Sequence, residues 1–210
     1  MDISICLLTC DRPEFTEQTL RTLAEHNDLS RFALLHGDDA STKPHNRKLA
    51  KKYGFRNVYQ STIRKGCQTS KRELCKQAKT PYVLLLENDW ESVREFPWDV
   101  WDQVCVADVY TFRLIGKFKE RGKRRVGVNH CGRNDAPAGW QDFCAGAQIG
   151  DIHWTSCPSV TRHKELMWLL QERAESGSMR KSGEIQSRVV RMVDNVFYHI
   201  GSDRTPGFLQ

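Results

Sequence analysis

A chain of 210 residues and 24.3 kDa is long enough for one substantial α/β core, and a single domain is the expected organisation. With 39% hydrophobic and 28% charged residues it is excluded from the disordered and fibrous classes. The formal charge of +6 is uneven, because Lys43 to Lys79 holds twelve Lys or Arg and one acid, Glu73, whereas 87–108 is acidic.

The basic stretch is either a solvated helical surface or a face that attracts a polyanion. Apolar runs such as Tyr82 to Leu86 fall far short of the roughly 20 residues that a bilayer crossing needs, and Met1-Asp2-Ile3 lacks the basic region of a signal peptide. No membrane anchor is therefore expected, and the cytoplasm is the expected location. The eight cysteines, with Cys6, Cys105 and Cys144 in apolar, strand-like runs, are expected to be reduced core residues without a disulfide framework.

In chain order, Ile3 to Thr9 predicts a buried strand. Pro13, tolerated in a first helical turn, opens a helix carrying Phe15, Thr19 and Leu23 at helical spacing. Phe32 to His36 predicts a second strand closed by the turn-rich Gly37-Asp38-Asp39-Ala40-Ser41, which puts carboxylates at its C-terminal end. A basic helix near Asn46 to Tyr53, a strand at Val58 to Gln60 and a helix after Gly66, capped by Thr69 or Ser70, follow. Pro81 then precedes the central strand Tyr82 to Leu86. This alternation predicts a mainly parallel sheet flanked by helices, with ligands gathering at the C-terminal strand ends.

The second half is less regular. Val109 to Ile115 and Val126 to His130 suit a hairpin around the cationic loop 117–125. Ile149 to Thr155, a helix over Arg162 to Ala174, a helix over Glu184 to Val193 and a strand over Val196 to Ile200 complete the expectation. The change near residue 108 reads as a change of role within one domain, 1–108 against 109–210.

The sharpest chemical feature is Glu87-Asn88-Asp89-Trp90, directly after an apolar strand. Two carboxylates spaced by one residue there can reach the same divalent cation, Mn²⁺ or Mg²⁺, although many strand-to-loop turns share that spacing. His130, Cys131, Cys144, His153 and Cys157 lack any Cys-x-x-Cys pair, which argues against a zinc site. Trp140 and Trp154 either stack on a ligand ring or fill the core.

Thr9 to Pro13 (TCDRP), Asp38 to Ser41 (DDAS), Gly66 to Arg72 and Glu87 to Trp90 (ENDW) occur in an order and spacing that resembles family-two glycosyltransferases of the GT-A type, which use nucleotide-sugar donors. The resemblance covers the first ninety residues well and the rest loosely, and here the acid-any-Asp element begins with Glu. It implies a GT-A (Rossmann-like) α/β fold in one compact domain, with 1–108 as the nucleotide-sugar-binding half and 109–210 as the acceptor side. By the same resemblance Thr9 and Arg12 border the nucleobase, Asp38 binds base or ribose, and Arg72 faces the diphosphate or the donor sugar. Asp89 is then the metal ligand, joined by His199, and Glu87 meets the ribose or a metal-bound water; Ser202 and Arg204 contact phosphate from a closing loop. Ser159 and Arg162, within Cys157 to Arg162, resemble an acceptor-side segment, and Trp154 is a further acceptor-binding candidate. Glu184 takes the place of the catalytic carboxylate, though the usual Glu-Asp pair reads Glu184-Ile185.

The implied reaction is metal-dependent hexosyl or pentosyl transfer from a nucleotide sugar, a UDP-sugar foremost, to a hydroxyl with inversion. The acceptor is either a saccharide or a hydroxymethylated DNA base; the competing reading is a non-catalytic nucleic-acid-binding module. A nucleotidyltransferase would need a glycine-rich loop after the first strand, and Thr9 to Pro13 contains no glycine.

Overall fold

The computed structural model describes residues 1–107, 109–115, 141–150, 158–172 and 188–200. Strand β1 (Ile3–Thr9) is buried throughout and lies between two parallel neighbours, β2 (Ala33–Asp39) and β4 (Tyr82–Glu87), with β3 (Arg56–Ser61) beyond β2. A strand covered on both faces reads as a continuous apolar run, which is why ISICLLT and YVLLLE show little polar alternation. Helix α1 (Pro13–His26) connects β1 to β2, α2 (His45–Lys52) connects β2 to β3, and α3 (Cys67–Cys75) connects β3 to β4.

The chain then forms β5 (Trp90–Ser92), α4 (Trp98–Val106), β6 (Val109–Arg113), β7 (Gln141–Cys144), β8 (Ala147–Gly150), β9 (Ser159–Arg162), α5 (His163–Leu169), β10 (Arg188–Met192) and β11 (Phe197–His199). Among the described residues nine strands join in the order β3-β2-β1-β4-β9-β6-β10-β8-β7, and β5 pairs with β11 in a separate ribbon. The β3-β2-β1-β4 half is parallel; β9 is antiparallel to both β4 and β6, and so stitches the two halves together.

Side-chain alternation splits the core between the two sheet faces. Ile3, Ile5, Leu7, Leu84 and Leu86 pack with Leu20 and Leu23 of α1 and Trp101 of α4. Cys6, Leu8, Val83 and Leu85 pack with Leu74 and Cys75 of α3 and Leu166 of α5. Each such aliphatic side chain contributes about 1.5–3 kcal/mol by leaving water. Gly37 permits the close seating of α3: a Cβ there would lie 3.1 Å from Tyr59 Cδ1 and 3.2 Å from Leu74 Cδ2.

The structure corrects four expectations. Helix α3 begins at Cys67 with Gly66 at its N-cap, at φ 84°, rather than being capped by Thr69 or Ser70. Of the helix expected over 184–193, residues 188–192 are strand β10 instead; Val189 and Val190 are buried where β10 lies between β6 and β8, a setting that suits β-branched side chains. The helix expected from Arg162 to Ala174 starts at His163, because Arg162 is still paired to Tyr82 in the sheet. Cys105 lies exposed on α4, a helix not anticipated within the acidic stretch, whereas Cys6 is buried. The expected hairpin partner 126–130 lies outside the described residues, and β6 sits between β9 and β10.

Candidate functional site

Because β1, β2 and β4 run parallel, their C-terminal ends bring Thr9, Asp38 and Glu87 to one edge: Thr9 is in register with Asp38, and Leu8 with Glu87. On that edge the Asp38 carboxylate is already shaped by the chain. Its Oδ2 accepts the Thr9 hydroxyl at 2.8 Å and the Ser41 hydroxyl at 2.6 Å, and its Oδ1 accepts the Ser41 amide at 2.7 Å. Asp39 accepts the amides of Lys65 and Gly66 at 2.9 and 3.1 Å and so ties the segment before α3 to β2.

Asp11 and Arg12 both adopt φ of 50°, the left-handed region, which costs non-glycine residues about 1–3 kcal/mol each. The surrounding hydrogen bonds hold this turn. The Asp11 carbonyl accepts from Asn46 Nδ2 at 2.8 Å and Asn88 Nδ2 at 3.1 Å. Its carboxylate accepts the Thr42 amide at 2.8 Å and the Arg64 guanidinium, and these donors hold it below the usual carboxylate range. The turn aims Arg12 at Asp89, with Nη2 3.1 Å from Oδ2.

Asp89 is the centre of the arrangement. It is 5% exposed, and its Oδ2 also lies 3.3 Å from Nε2 of His199. Burial raises its pKa, but His199 and Arg12 outweigh that and hold it below the ordinary value, so the group is an anion. Its Oδ1 is buried with no hydrogen-bond partner. His199 reaches the site because β11 pairs with β5, in register with Trp90, and the Ile200 amide donates to the Asp89 carbonyl at 2.9 Å. The Trp90 and His199 rings meet edge to face at 4.8 Å.

The sequence-predicted residues therefore divide. Thr9, Arg12, Asp38, Glu87, Asp89 and His199 share the edge. Arg72 pairs loosely with Glu73 of its own helix, at 3.5 Å, and it is Lys71, buried on α3, that places Nζ 2.6 Å from Glu87 Oε1. Ser159 is buried beside Leu85 near the same edge. Arg162 is paired to Tyr82 at the start of β4, the opposite edge, so the structure separates it from the cluster. Glu184, Trp154, Ser202 and Arg204 lie outside the described residues, as do His130, Cys131, Trp140, His153 and Cys157. Lys71, Asn46, Asn88 and His36 are additions from the structure. Their sequence signal was slight, a lysine beside the more obvious Arg72 and polar residues inside otherwise ordinary elements.

A divalent cation fits what is present. The orphaned Asp89 Oδ1 is a hard oxygen donor and His199 an imidazole donor, a pair that suits Mn²⁺ better than Mg²⁺. Among the described residues no group of three or more His, Cys, Asp or Glu is placed to hold a metal ion. No described helix is long and apolar enough to cross a membrane.

No family profile matches the sequence, and no curated protein is significantly similar to it. Solved structures do resemble the fold. The 1–349 fragment of S. aureus TarS is 15% identical over 94% of this chain and 60% of its own, with a TM-score of 0.67; the same fragment in complex with UDP-GlcNAc matches at 0.63 over 98% of this chain and 62% of its own. The mannosyltransferase PcManGT of Pyrobaculum calidifontis, in complex with GDP-Man and Mn²⁺, is 12% identical over 99% of this chain and 58% of its own, with a TM-score of 0.67. The chain thus spans roughly three fifths of the length of these structures, and its α/β fold is that of GT-A-type glycosyltransferases.

Proposed function

We propose that this chain is a glycosyltransferase moving a hexose or pentose from a nucleotide-sugar donor, a UDP-sugar in the first instance, to an acceptor hydroxyl with inversion. One observation carries the reading: an anionic, almost fully buried Asp89 at the C-terminal edge of a parallel sheet, flanked by Arg12 and His199 and with one oxygen unpartnered. Carboxylate, guanidinium and imidazole converging there suit a diphosphate and its counter-cation. The likeness to structures solved with UDP, UDP-GlcNAc or GDP-Man and Mn²⁺ supports it.

In this reading Thr9 and Asp38 border the nucleobase and ribose, Arg12 faces the diphosphate, and Asp89 with His199 holds Mn²⁺. The ion, when bound, neutralises charge on the departing nucleoside diphosphate. Glu184, the expected base, removes the acceptor hydroxyl proton as that oxygen bonds to the anomeric carbon and the carbon–oxygen bond to the diphosphate breaks. Lys71 keeps Glu87 paired at the foot of the site.

The test is thermal unfolding with UDP, GDP and other nucleoside diphosphates, each with and without Mn²⁺. A ligand at 100 times its Kd stabilises by about 2.7 kcal/mol. A manganese-dependent rise for one diphosphate, lost in Asp89→Asn, is the expected result. If no diphosphate moves the transition, the donor site is wrong.

A further inference from the structure

The donor site leaves a conspicuous set of cations unused. From Ala40 to Arg72 the chain contains no Asp or Glu, and α2 lies within this stretch. Asn46 and Ala50 of α2 face inward, while His45, Arg47, Lys48, Lys51 and Lys52 are exposed. Lys43, Lys48, Lys51 and Arg56 are exposed, and among the described residues their side chains have neither an ion pair nor a hydrogen bond. Arg47 donates to the neutral Gln60 Oε1 at 2.7 Å, and Lys52 and Lys65 lie over the rings of Tyr53 and Tyr59, so the partners of all three are uncharged. Among the described residues in this stretch, Arg64 is an exposed cation met by a carboxylate, Asp11.

This arrangement works against the helix that carries it. Lys48 and Lys51, Arg47 and Lys51, and Lys48 and Lys52 are like-charge neighbours three or four residues apart, spacings at which side chains meet and repel. A polyanion relieves that repulsion. Helix α2 starts at the site edge just after β2 and runs back along the sheet for about 12 Å, with Lys43 shortly before it and Arg56 opening β3 after it. The helix is fastened to the site as well, since Asn46 donates to the Asp11 carbonyl beside Arg12 and to Ser41 Oγ at 3.1 Å. A membrane surface fits less well, because Leu49 packs half-buried against the core and α2 exposes no apolar side chain that would enter lipid.

We propose that α2 and its flanks are a docking surface for the phosphate backbone of duplex DNA, bringing the duplex to the lip of the donor site. The proposal rests on the glycosyltransferase reading and narrows its acceptor to a group carried on DNA. Exposed cations without carboxylate partners, carried along one helix, complement the regularly spaced phosphates of a duplex, and release of condensed counterions supplies the affinity.

The experiment is fluorescence anisotropy of a labelled duplex of about 20 base pairs, titrated across a salt series with the wild-type chain and with the quadruple variant Lys43→Gln, Lys48→Gln, Lys51→Gln, Arg56→Gln. The wild type should bind with a steep salt dependence. In the variant the slope of log affinity against log salt should fall by roughly three to four, at about 0.9 per lost phosphate contact, and affinity at low salt by at least about tenfold. Thermal unfolding at or slightly above the wild-type temperature, as relief of the like-charge repulsion in α2 requires, and an unchanged shift with UDP and Mn²⁺ show that the variant folds and keeps its donor site. Wild-type binding in the variant, no DNA binding by either protein, or preferential capture by vesicles of phosphatidylglycerol would each overturn the proposal. Loss of the UDP and Mn²⁺ shift in the wild type would instead sink the underlying reading.

Discussion

Lys71 Nζ lies 2.6 Å from Glu87 Oε1, so the end of β4 is tied to α3 by an ion pair whose lysine is almost wholly buried while its carboxylate keeps about a third of its surface in water. Removing the lysine strands a partly desolvated carboxylate, and that penalty exceeds the net value of the pair. Lys71→Met should therefore destabilise the fold by about 1–3 kcal/mol, discounted from the fully buried case because Glu87 still reaches solvent. Lys71→Arg should recover part of the loss. Arg72→Ala, at a half-buried position of the same helix, should cost under about 1 kcal/mol. Urea unfolding measures all three, and a larger cost for Arg72 than for Lys71 would reverse this assignment.

Asp89→Asn keeps the side-chain shape but takes away the anion that Arg12 and His199 both face. Each flanking group can still hydrogen-bond an amide oxygen, so the fold should survive with a loss of about 1–2 kcal/mol. Sugar transfer should fall at least about 100-fold, the scale of removing a charge-stabilising group at the reacting centre. Steady-state kinetics beside thermal unfolding separates the two effects, and near-normal turnover in this variant would remove Asp89 from the chemistry.

Asp39→Ala probes positioning. Its two oxygens take the Lys65 and Gly66 amides, so truncation leaves both donors to water or unpaired and frees the entry to α3. A destabilisation of about 1–3 kcal/mol is expected, with a raised KM for the donor and a smaller change in kcat. Equal loss in kcat and kcat/KM would mean that Asp39 acts on the transition state instead.

The parallel half was legible because its signals are local. Apolar runs separated by helical spacing identified β1 to β4 and the three intervening helices, and parallel strands oblige their C-terminal ends to share an edge. That sufficed to bring Thr9, Asp38 and Glu87 together. Asp89 and His199 also meet, but through the β5–β11 ribbon, a pairing no local pattern encodes. The C-terminal half misled where burial depends on distant partners. Residues 188–192 were expected within a helix, yet Arg191 is 5% exposed in the sheet, with Nη2 3.2 Å from Gln148 Oε1 on the neighbouring strand. Lys71 was hidden because a lysine in a basic helix looks solvated until its partner is known.

His36 offers the pH test. It is buried, with Nδ1 hydrogen-bonded to Asn57 Oδ1 and Nε2 3.0 Å from Thr9 Oγ1. Thr9 has one hydroxyl proton and two close acceptors for it, Asp38 Oδ2 at 2.8 Å and a neutral His36 Nε2. Protonated His36 donates from both nitrogens and leaves the Thr9 proton to Asp38; neutral His36 competes for it. Burial lowers the His36 pKa from its ordinary 6.5, outweighing the Asn57 bond and the nearby Asp38 charge that act to raise it. The sign follows from which state binds the proton more readily. Below about pH 6.5 the unfolded chain takes it first, so stability falls as pH drops toward the lowered folded value and is restored above the unfolded one. His36→Gln, which keeps a hydrogen-bonding side chain, should lose about 1–2 kcal/mol near neutral pH but show a shallower decline between about pH 7 and pH 5.5. Chemical unfolding at closely spaced pH values reads the difference between the two proteins, cancelling histidines common to both. Parallel declines would mean that His36 binds its proton equally well in the folded and unfolded chain and contributes nothing to the pH dependence of stability.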